Sequence, residues 1–324
     1  MILPHGYTQR AAVISDLPAI ERLLASCDAA ESEPSYHGLA SQIRGIAEND
    51  MPRGTGKACV ITGDREPLVA CASFSLPAYP RPIAFARLQG AVHPQHRRRG
   101  LGSYLLHWTE GAARALFSFH RESRPRSLRI SFGGDRPDAE RLYQRRDFVF
   151  HDRSLQLRRD LSAPVAAHSA PPGITTSPWS PHSAHLFYTV YVATHAHSTE
   201  ASTRTEEEWC ADIAADAALR PDLTLVALDG THPCAFILSE VVPREGHDIG
   251  WVWLLRVDPA YRRRGLATSL LSHALTAFAA EGLPEAGLWV DEENTAARAT
   301  YDRLEFRQHS RLTTYAKSLG LDET

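Results

Sequence analysis

One stretch, WVWLLRVDPAYRRRGLATSLL at residues 251–271, constrains the fold more than any other feature of the chain. An apolar run from Trp251 to Val257 ends at Asp258-Pro259, three arginines and a glycine follow, and a helical pattern of leucines begins at Leu266. Strand, basic turn and helix is the layout in which backbone N–H groups at a helix start hold an anion. At Gly265 a side chain would block the close approach of a phosphate to the backbone.

The same pattern occurs earlier, in LQGAVHPQHRRRGLGSYLL at residues 88–106. When Gly100 is placed over Gly265, the prolines, the arginine triplets and the leucine pairs of the two stretches coincide. The offset is close to half of the 324 residues, which is far longer than a solenoid unit and indicates two similar domains. Each copy is followed by a helical pattern with a tyrosine and, five residues later, a phenylalanine: Tyr143 and Phe148, then Tyr301 and Phe306.

Both turns, 97–102 and 262–267, have the form R-x-x-G-x-[AG] and resemble the acyl-CoA pyrophosphate turn of the GNAT superfamily of N-acetyltransferases. The segment 288–306, which contains Asn294 and Tyr301, resembles the C-terminal strand and helix of that superfamily. Two such domains in one chain resemble the tandem arrangement of mycothiol synthase and its relatives. Since shared cofactor motifs do not specify an acceptor, the resemblance implies the fold and the cofactor but not the substrate.

The resemblance implies an α/β fold of two tandem GNAT-like domains, each a central mixed, mostly antiparallel sheet flanked by helices. Residues 160–181 are rich in Pro, Ser and Ala, a composition typical of a linker that leads into a new first strand. We therefore predict an N-terminal domain over 1–160, a linker over 161–172 and a C-terminal domain over 173–324. The strand at 148–157 is expected to close the first domain. The sequence also predicts a hairpin turn at 63–66, helices over 101–119, 182–197 and 266–280, and a capping box of Thr205 and Glu208 that opens another helix.

The resemblance also implies how acetyl-CoA, the expected cofactor, is held. The strand before the turn would face the pantetheine arm with its backbone, the turn would cradle the diphosphate, and Asn294 would hydrogen-bond the arm. Tyr301 would protonate the sulfur, because a phenol donates its proton at neutral pH. The expected cofactor-binding residues of the second copy are Leu255, Arg256, Val257, Arg262, Arg263, Arg264, Gly265, Leu266, Ala267, Thr268 and Asn294. Those of the first copy are Val92, Arg97, Arg98, Arg99, Gly100, Leu101, Gly102 and Ser103.

The general base is not identified by spacing. Members of the superfamily often carry a glutamate on the strand before the turn, but no carboxylate lies between Gly250 and Val257. Asp248 just upstream, Glu240 on the neighbouring strand, or His247 could act through a water molecule. If no base exists, the amine would arrive neutral, which favours acceptors of low pKa.

The two halves are not equivalent. When Tyr143 is placed on Tyr301, Arg136 occupies the position of Asn294, so the first half lacks the amide. Its turn, 97–103, is intact. We expect the second domain to catalyse, while the first is degenerate and binds acyl-CoA weakly or serves structure and substrate positioning.

Charge and composition limit the partners. The net charge of -3 gives the whole chain no reason to bind nucleic acid or an anionic membrane. No uncharged run approaches the roughly 18 residues of a membrane helix, and the N-terminus has no signal-peptide layout. Five scattered cysteines argue against a disulfide framework and against a zinc site. We therefore expect a cytoplasmic monomer or homodimer.

Alternative interpretations exist for the residues singled out. A single arginine run is typical of a solvated face or a nucleic-acid patch, and only its repetition in the same context favours the phosphate turn. Tyr301 could be a core tyrosine, and Asn294 could be only the N-cap of its helix. The histidines have no carboxylate or cysteine at ligand spacing, so we predict no metal. Those considered are His182, His185, His195 and His197.

The function expected from the sequence is transfer of acetyl from acetyl-CoA to a primary amine of a small molecule, mainly by the C-terminal domain. One alternative is an acetyltransferase that acts on a protein or peptide amine. A second, of another class, is a sensor that binds acyl-CoA without turnover, because the strand carboxylate is missing.

Overall fold

A computed structural model of the chain describes residues 1–31, 38–48, 56–63, 68–77, 82–119, 124–195, 204–244 and 246–320. The strands, in chain order, are β1 Tyr7–Ala11, β2 Gly56–Gly63, β3 Ala70–Ser75, β4 Ala84–Val92, β5 Arg126–Gly133, β6 Val149–Asp160, β7 Ile174–Pro178, β8 Leu225–Asp229, β9 His232–Arg244, β10 His247–Val257, β11 Glu285–Asp291 and β12 Arg307–Leu319. The helices are α1 Leu17–Asp28, α2 Leu39–Ala47, α3 Leu101–Phe119, α4 Pro137–Gln144, α5 Ala184–His195, α6 Glu206–Ala214, α7 Leu266–Ala280 and α8 Thr295–Arg303.

The chain divides into two compact units. Unit 1 consists of Met1–Arg153 and Arg311–Thr324, and unit 2 consists of Ser154–Ser310. The strand order is β1-β2-β3-β4-β5-β12 in unit 1, and β6-β11-β10-β9-β8-β7 in unit 2. In each unit one neighbouring pair is parallel, β4 with β5 and β10 with β11, and the other registered pairs are antiparallel. The predicted mixed, mostly antiparallel sheets are therefore confirmed.

The strand at 148–157 was expected to close the first domain, but residues 154–157 belong to unit 2. β6 pairs with β11 of unit 2, where Leu155 and Leu157 enter the core beneath α7. The C-terminal strand β12 pairs instead with β5, and Tyr315 enters the core of unit 1. Alternating apolar residues predict a half-buried strand but do not say which sheet it joins. The units therefore differ from the contiguous domains drawn at 1–160 and 173–324.

The two faces of the unit 2 sheet carry different layers. On one face, Leu255 and Val257 of β10 pack with α7 around Phe278. On the other face, Leu254 of β10 and Phe236 of β9 pack against α5 and α6. We call these the α7 face and the α5/α6 face. This alternation follows from the two-residue period of a strand and decides which side chains of β10 share a surface.

Several local predictions agree with the structure. The helices α3 and α7 begin directly after the two glycines and span the predicted residues. The capping box that opens α6 is present: Glu208 N–H donates to Thr205 Oγ1 at 3.2 Å, and Thr205 N–H donates to Glu208 Oε2 at 3.0 Å. The helix predicted over 182–197 runs from Ala184 to His195, and residues 196–203 lie outside the described part of the chain. The turn predicted at 63–66 also falls largely outside it.

Candidate active site

The two basic turns share an unusual backbone conformation. The second arginine of each triplet has a positive φ, 63° at Arg98 and 61° at Arg263. The glycines that follow have φ of 85° at Gly100 and 87° at Gly265. Non-glycine residues rarely adopt this left-handed conformation, so its repetition at equivalent positions identifies the same loop built twice. Loops of this kind direct successive backbone N–H groups into a concavity that suits an anion.

The turn of unit 2 is open to solvent, since residues 262–265 are exposed. The first arginine of each triplet folds back onto its own strand. Arg262 Nε donates to the Val257 carbonyl at 3.4 Å, and Arg97 Nε donates to the Val92 carbonyl at 3.3 Å. These two arginines therefore brace the strand ends, and the later residues of each triplet present the exposed part of the turn.

The helix starts complete the turns. In unit 2, Gly265 is the N-cap of α7, Leu266 is buried, and Ala267 and Thr268 are half-buried in the first helical turn. The Arg264 guanidinium lies 4.8 Å from the centroid of the Tyr261 ring. Unit 1 has the same pattern: Leu101 is buried, and Gly102 and Ser103 are half-buried.

The strands β10 and β11 separate next to the turn of unit 2. Their parallel ladder runs only from Gly250 opposite Ala286 to Val252 opposite Leu288. β10 then continues to Val257 along β9, after a bulge at Trp253 that leaves Val252 opposite Ser239 and Leu254 opposite Leu238. Over residues 254–257 the β10 edge that faces β11 is thus open, and an extended ligand could add to it as a strand does.

Tyr301 lies on α8 with only 8% of its surface exposed. Its ring meets the Phe306 ring edge-on at 5.8 Å, as the equivalent Tyr143 and Phe148 lie 6.3 Å apart. Burial raises the pKa of the Tyr301 phenol, and the nearby charge of Arg256 partly opposes that rise. The phenol therefore stays protonated and able to donate at neutral pH.

Asn294 is the N-cap of α8. Its Oδ1 accepts a hydrogen bond from the Ala297 N–H at 3.1 Å. The cap that the sequence offered as an alternative is therefore present, and a second role toward a ligand stays a prediction. Arg136 is the N-cap residue of α4 but makes no side-chain cap hydrogen bond there.

The three candidate bases lie in different places. Glu240 is 8% exposed in the middle of β9, opposite Trp251. Asp248 and His247 are exposed at the beginning of β10, and Asp248 lies opposite Pro243. Asp248 precedes Leu254 by six residues, which in a strand is roughly 20 Å. Only Glu240 is thus both buried and near the bulge.

Glu240 has an unusual charge environment. Burial is the main cause that raises its pKa to about 7, with the neighbouring carboxylate of Asp216 as the second cause and Arg244 acting in the opposite direction. A carboxyl group with this pKa changes its protonation state near neutral pH, as a general base must.

Aromatic and cationic groups that were not predicted as site residues cluster around Trp251 in unit 2. The Trp251 ring covers Gly287, where an added Cβ would lie 2.5 Å from the ring. The guanidinium carbons of Arg158 and Arg244 lie 5.7 Å and 5.3 Å from the centroid of that ring. Trp253 and Trp289 remain 44% and 39% exposed. Neighbours on adjacent strands create this cluster, so spacing along one strand gives no signal for it.

Unit 1 contains a cavity of about 520 Å³ at its own turn. Glu31 reaches into it, with Oε1 2.7 Å from Arg97 Nη1 and Oε2 3.4 Å from Arg136 Nε. The ladder between β3 and β4 is continuous from Ser75 opposite Arg87 onward, without the bulge of unit 2. Predicted site residues that line the cavity are Val92, Arg97, Arg98, Gly100, Gly102 and Ser103, and Tyr143 lines it as well.

Within the described residues, no three His, Cys, Asp or Glu side chains converge as metal ligands. His182 and His185 are exposed, and the His195 ring lies 4.2 Å from the Tyr191 ring. His197 lies outside the described part of the chain. None of the described helices is long and apolar enough to cross a membrane.

Comparison with known proteins places these features in context. The acetyltransferase (GNAT) family model matches residues 185–306. The mycothiol acetyltransferase of Salinispora arenicola (strain CNS-205) is 32% identical over 254 residues, which cover 73% of this chain and 75% of that protein. The mycothiol acetyltransferase of Parafrankia sp. (strain EAN1pec) is 28% identical over 95% of this chain and 97% of its own length.

Solved structures share the fold along nearly the whole chain. A GCN5-related N-acetyltransferase from Sphaerobacter thermophilus has a TM-score of 0.80 at 24% identity and covers 98% of this chain and 97% of its own. A tandem GNAT protein from the clavulanic acid biosynthesis pathway has a TM-score of 0.68 at 14% identity, with coverage of 97% and 99%. At these identities the likeness concerns the fold alone.

Proposed function

Since the chain belongs to the GNAT acetyltransferase family, we propose that unit 2 transfers an acetyl group from acetyl-CoA to the amine of a small molecule. The observation that carries the proposal is the open edge of β10 beside β11, which leads into the exposed turn at 262–265 and contains Arg256, whose charge acts on the phenol of Tyr301. Relatives named mycothiol acetyltransferase support an acceptor of small size.

The residues present fit acetyl-CoA, which when bound would supply the acetyl group as a thioester. The backbone N–H groups of the turn and the cations of Arg263 and Arg264 would hold the diphosphate. The backbone of Leu255, Arg256 and Val257 would pair with the pantetheine arm, as in strand addition. Asn294 would keep its cap hydrogen bond and donate from its amide nitrogen to the arm.

Proton transfer requires an acid and a base on the two sides of the reacting carbon. Tyr301 would donate its phenolic proton to the departing sulfur. Glu240, ionised above a pKa of about 7, would accept the proton of the amine through a water molecule. Glu240 is preferred to Asp248 because it is buried near the bulge, whereas Asp248 is exposed roughly 20 Å from Leu254.

Catalysis by unit 2 rather than unit 1 is supported by three differences. Among the described strands, the ladder next to the turn has a bulge in unit 2 and none in unit 1, and a bulge would re-aim the β10 edge toward a ligand. Arg136 replaces the amide of Asn294 in unit 1. The carboxylate of Glu31 pairs with Arg97 and would repel a diphosphate in that cleft.

Paired substitutions of the two tyrosines test the division of labour. We expect Tyr301→Phe to lower kcat roughly 100-fold or more, because the acid is removed while the ring and its packing remain. Tyr143→Phe is the matched control and should change kcat less than about twofold. Steady-state thiol release with an amine panel measures both, and equal losses would contradict the proposal. CoA binding by calorimetry without thiol release from any amine would identify a sensor instead.

A further inference from the structure

The side chain of Arg256 belongs to the α5/α6 face of unit 2. Arg256 lies opposite Phe236 in the antiparallel ladder, and residues directly opposite each other point to the same side of a sheet. The Phe236 ring packs 5.8 Å from Phe187 of α5 and 6.2 Å from Trp209 of α6. The side chain of Arg256 therefore leaves β10 on the face that α5 and α6 cover. Arg256 follows the bulge at Trp253 by three residues.

The guanidinium of Arg256 is half-buried. It lies within electrostatic range of the phenols of Tyr301 on α8 and Tyr191 on α5. It is therefore near the proposed acid and near the helix that covers this face. Burial lowers the pKa of Arg256, yet an arginine of such basicity keeps its charge at neutral pH.

In the described part of the chain, no carboxylate pairs with Arg256. Its one side-chain hydrogen bond there is from Nη1 to the carbonyl of the preceding Leu255, at 3.2 Å. A guanidinium has five N–H donors, and a half-buried cation costs free energy unless it is paired. Arg220 of unit 2, by contrast, is paired with the carboxylates of Asp222 and Glu281.

We infer that Arg256 is the anchor for a carboxylate of the substrate, held beside the reaction centre by a two-pronged hydrogen bond. The planar guanidinium matches a carboxylate in geometry as well as in charge. The inference deepens the proposed function and rests on it. The carboxylate can belong to the acceptor, as in an amino acid, or to the acyl chain of a dicarboxylic thioester.

Two substrate pairs separate these sources. The acceptor pair is n-propylamine and γ-aminobutyrate, each with acetyl-CoA, and the acyl pair is butyryl-CoA and succinyl-CoA with one common amine. We expect the full-length protein to prefer the carboxylate in one pair by at least tenfold in kcat/KM. Calorimetry measures the same preference as a ratio of dissociation constants, for the amines with CoA present and for the thioesters alone.

Substitution of Arg256 tests the assignment. Arg256→Met keeps the apolar stem and should abolish the preference, because the carboxylated member should lose roughly 100-fold more in kcat/KM than its partner. Arg256→Lys keeps the positive charge but lacks the paired N–H donors of the guanidinium, so it should retain part of the preference for the carboxylate. If Arg256→Met fails to fold, the Arg256→Lys variant tests the assignment instead. Arg264→Met, in the turn, should weaken both thioesters equally.

The outcomes distinguish this inference from the proposed function. Acetylation of both pair members at similar kcat/KM by the unmodified protein, or equal losses for both in Arg256→Met, would overturn the carboxylate anchor and leave the acetyltransferase intact. Absence of thiol release with every amine would overturn the proposed function. The ratio of dissociation constants from calorimetry would then be the test of Arg256 as a carboxylate anchor.

Discussion

Replacement of Glu240 by glutamine tests the buried carboxyl group in two independent ways. The pKa of this group is about 7 in the folded protein against an ordinary 4.5, because burial and Asp216 disfavour its charge. The folded state therefore binds the proton more tightly than the unfolded state. Its contribution to stability is complete below pH 4.5 and is lost as the pH rises through 7.

The size of the effect follows from the same two values. A pKa of about 7 instead of 4.5 corresponds to about 3 kcal/mol of unfolding free energy when the group is fully ionised. The unmodified protein should lose up to this amount between pH 4.5 and pH 8 relative to Glu240→Gln, which cannot ionise. Glu207→Gln, an exposed carboxylate on α6, is the matched control and should run parallel to the unmodified protein.

Urea unfolding followed by tryptophan fluorescence measures this difference, since five of the six tryptophans lie in unit 2. Curves for the unmodified protein and Glu240→Gln that stay parallel within about 0.5 kcal/mol across this pH range would refute the environment assigned to Glu240.

The catalytic role needs a second assay. A base must be ionised, so kcat/KM should rise with pH through about 7 in the unmodified protein. Glu240→Gln should remove this rising limb of the pH profile and lower kcat/KM roughly 100-fold or more. Asp216→Asn should shift the limb to lower pH, because Asp216 raises the pKa of Glu240. A limb unchanged in Glu240→Gln would mean that another group accepts the proton.

Substitutions in the two turns and in α3 test the same reasoning. Glu31→Gln removes the carboxylate that pairs with Arg97 and Arg136, so the CoA stoichiometry measured by calorimetry should rise from one toward two. Gly265→Ala forces a side chain into φ of 87° and should lower the unfolding free energy by about 1 kcal/mol and weaken CoA binding. Gly111→Ala, in the interior of α3 with open space around it, should instead raise the unfolding free energy by about 0.5–1 kcal/mol.

The sequence predicted what a single segment determines by itself. Apolar periodicity and the glycine before each helix fix α3 and α7, and the pair Thr205 and Glu208 fixes the start of α6. The positive φ at Arg98 and Arg263 was not predicted, because arginine carries no preference for that conformation.

Features that depend on two segments could not be predicted in this way. The raised pKa of Glu240 arises mainly from its burial in the folded sheet and then from Asp216, 24 positions earlier, and the pairing of Glu31 with Arg136 joins the segment after α1 to the N-cap of α4. Arg256 was expected to act through its backbone, and its side chain gained a role only when the ladder set it opposite Phe236. Each of these required the register of the sheet.

The exchange of last strands places in unit 2 a strand that precedes the second basic turn by about 100 residues. β6 follows α4 in the chain, yet it supplies Leu155 and Leu157 to the core of unit 2 and covers β11 along its whole length. Without β6 the edge of β11 would be bare, and Arg158 would no longer lie over Trp251. Residues 154–160 therefore contribute to unit 2 through a strand and its packing, a role that requires neither the turn nor the tyrosine of unit 1 to bind a ligand.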